Sequence, residues 1–319
     1  MARTWSARPG NCLFHDVRQR PPLSPALWAA AATGVQVGAA IVASRLVLEE
    51  VPPLTLAMLR YAIGFCCLLP FAAATLLQWR PAQTVRVSGR DLLVMGALGV
   101  GQFGLLIALL NEGLRHIGAA PAALIFSLMP LLTLMLSAWT GREQLRPILL
   151  IGVLVSIAGV AVALAPKLAM PAVAAASSWR GELAVAAAAA VGATCSVLYR
   201  PYLQRYPMLP VSAYAMLASV LVLAALASTE HWLERVGGFS TRAWSVIAFI
   251  GVSSGAGYFA WLYALKHEPP TRVTVFLALN PLTAALLGWA LLGETLHASV
   301  WAAFALIATG LWLAARSAR

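Results

Sequence analysis

Residues 113–145, GLRHIGAAPAALIFSLMPLLTLMLSAWTGREQL, find a second version of themselves at an offset of 151 in residues 264–296, ALKHEPPTRVTVFLALNPLTAALLGWALLGETL. The register pairs Leu114-Arg115-His116 with Leu265-Lys266-His267, Leu128-Met129-Pro130-Leu131 with Leu279-Asn280-Pro281-Leu282, and Glu143-Gln144-Leu145 with Glu294-Thr295-Leu296; further on, Gly159 meets Gly310. Positions 113–166 contain ten identities in this register. Matched leucines mean little in an apolar chain, but Pro, Glu, His and Gly are among the matches. Those residues carry the signal of an internal duplication.

The chain of 319 residues is 61% hydrophobic and 10% charged, against about 45–50% and 25% in soluble domains. An ordinary cytosolic globule is excluded. Long apolar runs bounded by charge, Pro or Gly predict helices over 26–48, 54–78, 91–113, 119–139, 146–166, 180–201, 210–229, 242–265, 271–292 and 296–315. The fold class expected is an all-α integral membrane protein of ten transmembrane helices. The offset of the duplication spans five of them, an odd number, so the two copies must cross the membrane in opposite directions: two inverted five-helix repeats, over 26–166 and 180–315. Residues 1–25 are polar and Pro-containing and read as a disordered cytoplasmic tail. The first span, at 23 residues, is too long for the apolar region of a signal peptide.

The net charge of +11 would suggest nucleic acid in a soluble protein, but here the basic residues lie between the apolar runs. Fifteen of the 22 Lys and Arg fall on the side shared by both termini and five on the other, while Arg45 and Arg60 lie within spans. The positive-inside rule therefore places both termini in the cytoplasm of a multi-pass protein of the bacterial inner membrane. No nucleic-acid partner is expected. Cys12, Cys66, Cys67 and Cys195 show no metal-ligand spacing, so no metal or cofactor is expected.

Polar groups at mid-depth cost free energy unless paired or wet. The amides of Gln36, Gln102 and Asn280 are therefore candidates for lining a substrate pocket. Ser254, Tyr258 and Trp261, at i, i+4 and i+7, put a hydroxyl and two aromatic rings on one helix face. A serine in a span commonly bonds back to its own helix, so Tyr258 and Trp261 are the stronger candidates. Pro130 and Pro281 take equivalent mid-span places and are expected to act as hinges. Glu143 and Glu294, where the fourth and ninth helices end, are expected to cap the helix that follows each. Arg45, Arg60 and Glu112 form a group of vestibule charges toward the external face. Arg60 stands deep enough that it should face the interior and bond Glu112 or free carbonyls.

The stretch from Gly38 to Arg60, GAAIVASRLVLEEVPPLTLAMLR, and that from Pro270 to Glu294, PTRVTVFLALNPLTAALLGWALLGE, resemble the drug/metabolite transporter superfamily, specifically its ten-helix EamA branch of exporters. The ending Leu-Gly-Glu has a weaker first-half counterpart in Gly141-Arg142-Glu143. The resemblance covers about 26–315 and implies a central cavity lined by helices 1, 3, 4, 6, 8 and 9, with helices 5 and 10 peripheral. The function it implies is a secondary transporter exporting small metabolites, amino acids or derivatives, by alternating access. Its partners would be a small-molecule substrate and the lipid bilayer, with the protein a monomer or weak dimer. A lipid-carrier flippase, or an accessory membrane subunit without solute flux of its own, is the alternative. An enzyme is disfavoured: no Asp, Glu or His lies deep in a predicted span, so no catalytic residues are expected. No Walker-type phosphate loop supports ATP drive.

Overall fold

The computed structural model describes residues 24–78, 88–139, 147–168, 179–267, 276–294 and 298–317, which are helical with short connections and contain no β-strand. The expected tail up to residue 23 and Glu143 lie outside them. Helix α1 (Pro25–Val47) starts at Ser24, whose hydroxyl accepts from the Leu27 amide at 3.3 Å, with Pro25 at the first helical position. This pairing of a hydroxyl cap and an N1 proline satisfies a free donor and presets the backbone. Helix α2 (Pro53–Gln78) follows. The third rod runs Gly89–His116 as α3 (Gly89–Gly99), a π-helical segment (Val100–Leu105) and α4 (Leu106–His116).

The expected fourth helix is broken. It forms α5 (Ala119–Phe126) and α6 (Met129–Trp139), with a turn at Ser127 and Leu128. In the second half, a 3-10 turn (Phe276–Ala278) precedes α12 (Leu279–Leu292). Through the 151-residue offset both interruptions fall just before the aligned prolines Pro130 and Pro281. Proline lacks an amide hydrogen and clashes with the carbonyl four residues back, so each helix restarts with its proline in the first turn. The remaining helices are α7 (Pro147–Leu168), α8 (Arg180–Arg205), α9 (Met208–Ala227), α10 (Trp232–Arg235), α11 (Thr241–His267) and α13 (Ala298–Ser317).

Seven helical runs among the described residues are long and apolar enough to cross a membrane, and three further apolar runs are shorter. Trp28, Phe71, Leu77, Trp139 and Trp289 stand exposed on the outside, where a water-soluble protein would place charge. Inside, small side chains dominate the contacts: Ala57, Ala119, Ala122, Ala188, Ala215 and Ala284 are fully buried. In lipid the helix backbones must approach closely to gain packing energy. The halves interleave, with α1 against α11 and α12, α2 against α9 and α11, and α4 against α8. Helices α7 and α13 pack mainly on each other, at the periphery as the resemblance implies.

Candidate functional site

A cavity of about 160 Å³ lies in the middle of the bundle. That is below the ~300–1,000 Å³ of sites for drug-sized ligands and suits a small solute. Four of the five expected pocket residues line it: Gln36 from α1, Gln102 from the π-helical segment, and Tyr258 and Trp261 from α11. Asn280 does not. It is 2% exposed, with its backbone carbonyl facing Gly38 of α1 and its side-chain Oδ1 buried without a hydrogen-bond partner. Its place at the restart of a broken helix, one residue before Pro281, holds it in the α1 contact and off the cavity wall.

The cavity also has a wall that the resemblance omits, because α2 contributes Arg60 and Tyr61. Arg60 is 7% exposed, which agrees with the expectation that it faces the interior. Its expected bond to Glu112 is not formed. Arg60 Nε instead donates to Ser254 Oγ at 2.8 Å, and the guanidinium carbon stands 5.5 Å from the Tyr61 ring centre. Ser254 Oγ in turn donates to the Ile250 carbonyl at 2.5 Å, so the hydroxyl that bonds back to its own helix also anchors the cation. Glu112 is occupied near its own helix end, with Arg115 at 3.4 Å and His116 at 3.0 Å. Arg45, one of the expected vestibule charges, is partly exposed near the end of α1 and does not line the cavity. Placing a cation inside a span costs up to ~2.5–3.5 kcal/mol on insertion scales, and one neutral hydroxyl and one ring only partly offset it.

The amides are held differently. Gln36 Nε2 donates to Ser253 Oγ at 3.3 Å, and a Cβ on Gly257 would fall 2.5 Å from Gln36 Oε1, so glycine is needed there for the amide to lie across α11. Gln102 Oε1 is buried and has no hydrogen-bond partner. The π-helical segment that carries it inserts an extra residue into the helical turn, a distortion common at functional sites. Glycines at 99, 101 and 104 lie in and beside this segment, but no periodic signal in the sequence marks the bulge. Nor does one single out Phe103, which sits edge-on to Tyr61 at 5.1 Å and to Tyr258 at 5.0 Å. This aromatic group ties α2, the π-helical segment and α11 together along the cavity wall.

Carboxylates cap helices at one end of the bundle. Glu230 accepts from the Leu54 amide (3.0 Å), the Thr55 amide (2.8 Å) and the Thr55 hydroxyl (2.7 Å) at the start of α2. Glu50 accepts from the Ser240 amide and hydroxyl at the start of α11. Glu294 accepts from the Ala119 amide at 2.7 Å and the Ala120 amide at 3.3 Å. The expectation that Glu294 caps the helix after it is therefore corrected: it caps α5 in the first half. Gly293 has φ +66° and the Glu294 amide bonds the Gly288 carbonyl at 3.1 Å. This glycine-closed helix end reverses the chain, which turns the carboxylate back over the bundle. At the other end, the Tyr206 hydroxyl donates to Asp91 Oδ2 at 2.5 Å, a bond that pushes its ionisation above the ordinary tyrosine range.

The sequence profile of the EamA-like transporter family matches residues 24–165 and again 179–316. The chain belongs to that family, and it is a multi-pass membrane transporter rather than an enzyme. A curated relative from Archaeoglobus fulgidus, an uncharacterized transporter, is 26% identical over 88% of this chain and 94% of its own. A probable terminal-alkyne amino-acid exporter from Streptantibioticus cattleyicolor is 29% identical over 85% of this chain and 87% of its own. One solved crystal structure, described only as that of a protein, covers 92% of this chain and 99% of its own with a TM-score of 0.62 at 22% identity, a likeness of fold alone.

Proposed function

We propose that the protein is a secondary transporter that exports small amino acids or their derivatives across the cytoplasmic membrane by alternating access. In this reading it has ten spans, as two inverted repeats over 26–166 and 180–315, with both termini cytoplasmic. The observation that carries it is the central cavity: Gln36, Arg60 and Gln102 from the first family match face Tyr258 and Trp261 from the second. The interruptions before Pro130 and Pro281 support hinge roles, since broken helices in corresponding positions of two repeats are where a transporter site flexes. The amino-acid exporter among the relatives supports the substrate class. The single chain contains both repeats, so a monomer or weak dimer suffices.

Metabolite profiling of medium from cells overexpressing the protein should show one or a few amino-acid-like solutes enriched, and the purified protein in proteoliposomes should move them. Flux of no water-soluble solute would overturn the reading in favour of a flippase or an accessory subunit. Reporter fusions after Arg86 and Arg235 should give cytoplasmic and external signals respectively; equal signals would sink the inverted topology.

A further inference from the structure

We infer that Arg60 is the receptor for a carboxylate on the transported solute and that Gln102 Oε1 receives its ammonium group, an inference that rests on the exporter reading and names the chemistry of its site. Arg60 lines the cavity, is 7% exposed, and has no carboxylate among the described residues within 4.0 Å. Its recorded hydrogen bond uses Nε alone, on the neutral Ser254 hydroxyl. That bond fixes the guanidinium and leaves the two terminal nitrogens, which carry most of its donors, for an acceptor brought from outside. A planar fork of N–H groups fits a carboxylate with two parallel bonds. A buried cation without an anion is costly and is retained where function uses it.

Gln102 supplies the opposite complement. Gln102 lines the same cavity as Arg60 on a helix distorted at that point, and its Oε1 is a buried acceptor without a partner that a turn of the side chain brings to the solute. Buried acceptors are ordinarily satisfied, and an ammonium offers three donors to such an oxygen. The rest of the wall is mainly apolar, with Phe103, Tyr258 and Trp261 beside aliphatic residues such as Ile107 and Leu110, and takes an apolar side chain. A donor fork, a lone acceptor and an apolar wall together define an α-amino acid with an uncapped carboxylate.

The test uses the full-length protein in proteoliposomes and three matched probe sets: L-amino acids, their carboxamides, and the carboxylates lacking the amino group. Wild type should move at least one amino acid about tenfold better than its amide. Arg60→Gln should reduce amino-acid and plain-carboxylate flux by about tenfold or more and bring acid and amide to parity. Arg60→Lys should keep the preference for the acid. Gln102→Leu should reduce amino-acid flux and leave plain carboxylates near wild type. Because Arg60→Gln could fail to fold, Ser254→Ala serves beside it: it frees the guanidinium from its anchor without removing the charge, and should raise KM for acids more than for amides. Plain carboxylates moving in an Arg60-dependent way while no amino acid moves would keep the carboxylate receptor and remove the amino-acid reading. Wild type moving amides as well as acids, or moving no carboxylate at all, would overturn the inference. So would an Arg60→Gln protein of normal abundance and melting temperature that retains the acid preference.

Discussion

Helices α2 and α9 pack against each other and carry the same three residues, Ala57-Met58-Leu59 in one and Ala215-Met216-Leu217 in the other. In both, the Ala and Met are buried. The next residue parts them. Arg60 lines the cavity, whereas Ala218 faces α3, where a Cβ on Gly96 would stand 3.8 Å from its own. The difference teaches that the two helices share a packing step, while only α2 follows it with a charge. The cavity draws on both halves, since the first brings Gln36, Arg60 and Gln102 together with Tyr61 and Phe103, and the second brings Ser254, Tyr258 and Trp261. The longer polar side chains, Gln36, Arg60 and Gln102, come from the first half, while aromatic rings come from both.

The sharpest way to break this comparison is to move the charge. Arg60→Ala should lower flux by about tenfold or more, the scale expected when a buried charge loses its partner. Adding Ala218→Arg should not restore it, because position 218 packs against a helix away from the cavity. The added cation should also lower membrane abundance, given a mid-span cost of ~2.5–3.5 kcal/mol. Flux in proteoliposomes and abundance by quantitative blot check the two halves of this expectation. Recovery of flux in the double variant would mean that the two helices exchange roles during transport.

A smaller effect is expected from the aromatic pair that the second half contributes. Trp261→Ala removes apolar surface but no charge, so KM should rise about fivefold to tenfold, as loss of ~1–1.4 kcal/mol of contact would give. The ratio of acid to amide transport should stay as in wild type. A change in that ratio would show that the aromatic wall also reads the charged end of the solute.

Much of this arrangement was legible in the sequence, and the parts that were not have a common cause. Hydropathy located the helices to within a few residues at most of the described ends because an apolar run long enough to meet lipid is an obvious signal. Gln36, Gln102, Tyr258 and Trp261 were legible because a polar or amphipathic residue in such a run needs a reason. The two helix breaks were half legible: the prolines were visible, while the turn at Ser127 and Leu128 was not. Arg60 was legible as buried, but its partner Ser254 lies 194 positions away, and no local pattern selects it over Glu112. The target of Glu294 was missed for the same reason, since the Ala119 amide lies 175 positions away. Asn280 was misplaced because mid-span depth says nothing about which side of a helix meets the cavity.

The caps measure the joint between the halves, which exchange carboxylates: Glu50 of the first caps α11, while Glu230 and Glu294 of the second cap α2 and α5. Losing a side-chain cap costs typically about 1 kcal/mol. Glu230→Ala and Glu294→Ala should each lower thermal stability in detergent by a modest amount, with Glu230 the larger because its carboxylate accepts a hydroxyl bond as well. Neither should change the acid-to-amide ratio. A selectivity change without loss of stability would move these carboxylates from holding the bundle to handling the solute.

The smallest effect belongs to Glu112. Its side chain is 45% exposed and its partners Arg115 and His116 stand three and four residues further along the same helix. Exposed pairs at this spacing contribute about 0.3–0.5 kcal/mol. Glu112→Ala should therefore leave flux near wild type and stability almost unchanged. Combined with Arg60→Ala, it should add its small defect to the large one, with an interaction energy no greater than the ~0.3–0.5 kcal/mol within which independent sites add. Flux and melting curves of the two single variants and the double variant complete that cycle. Rescue of Arg60→Ala by Glu112→Ala would mean that the two charges meet in another state of the transport cycle. Additivity instead leaves Arg60 without a counter-charge from Glu112, which is what a carboxylate brought by the solute requires.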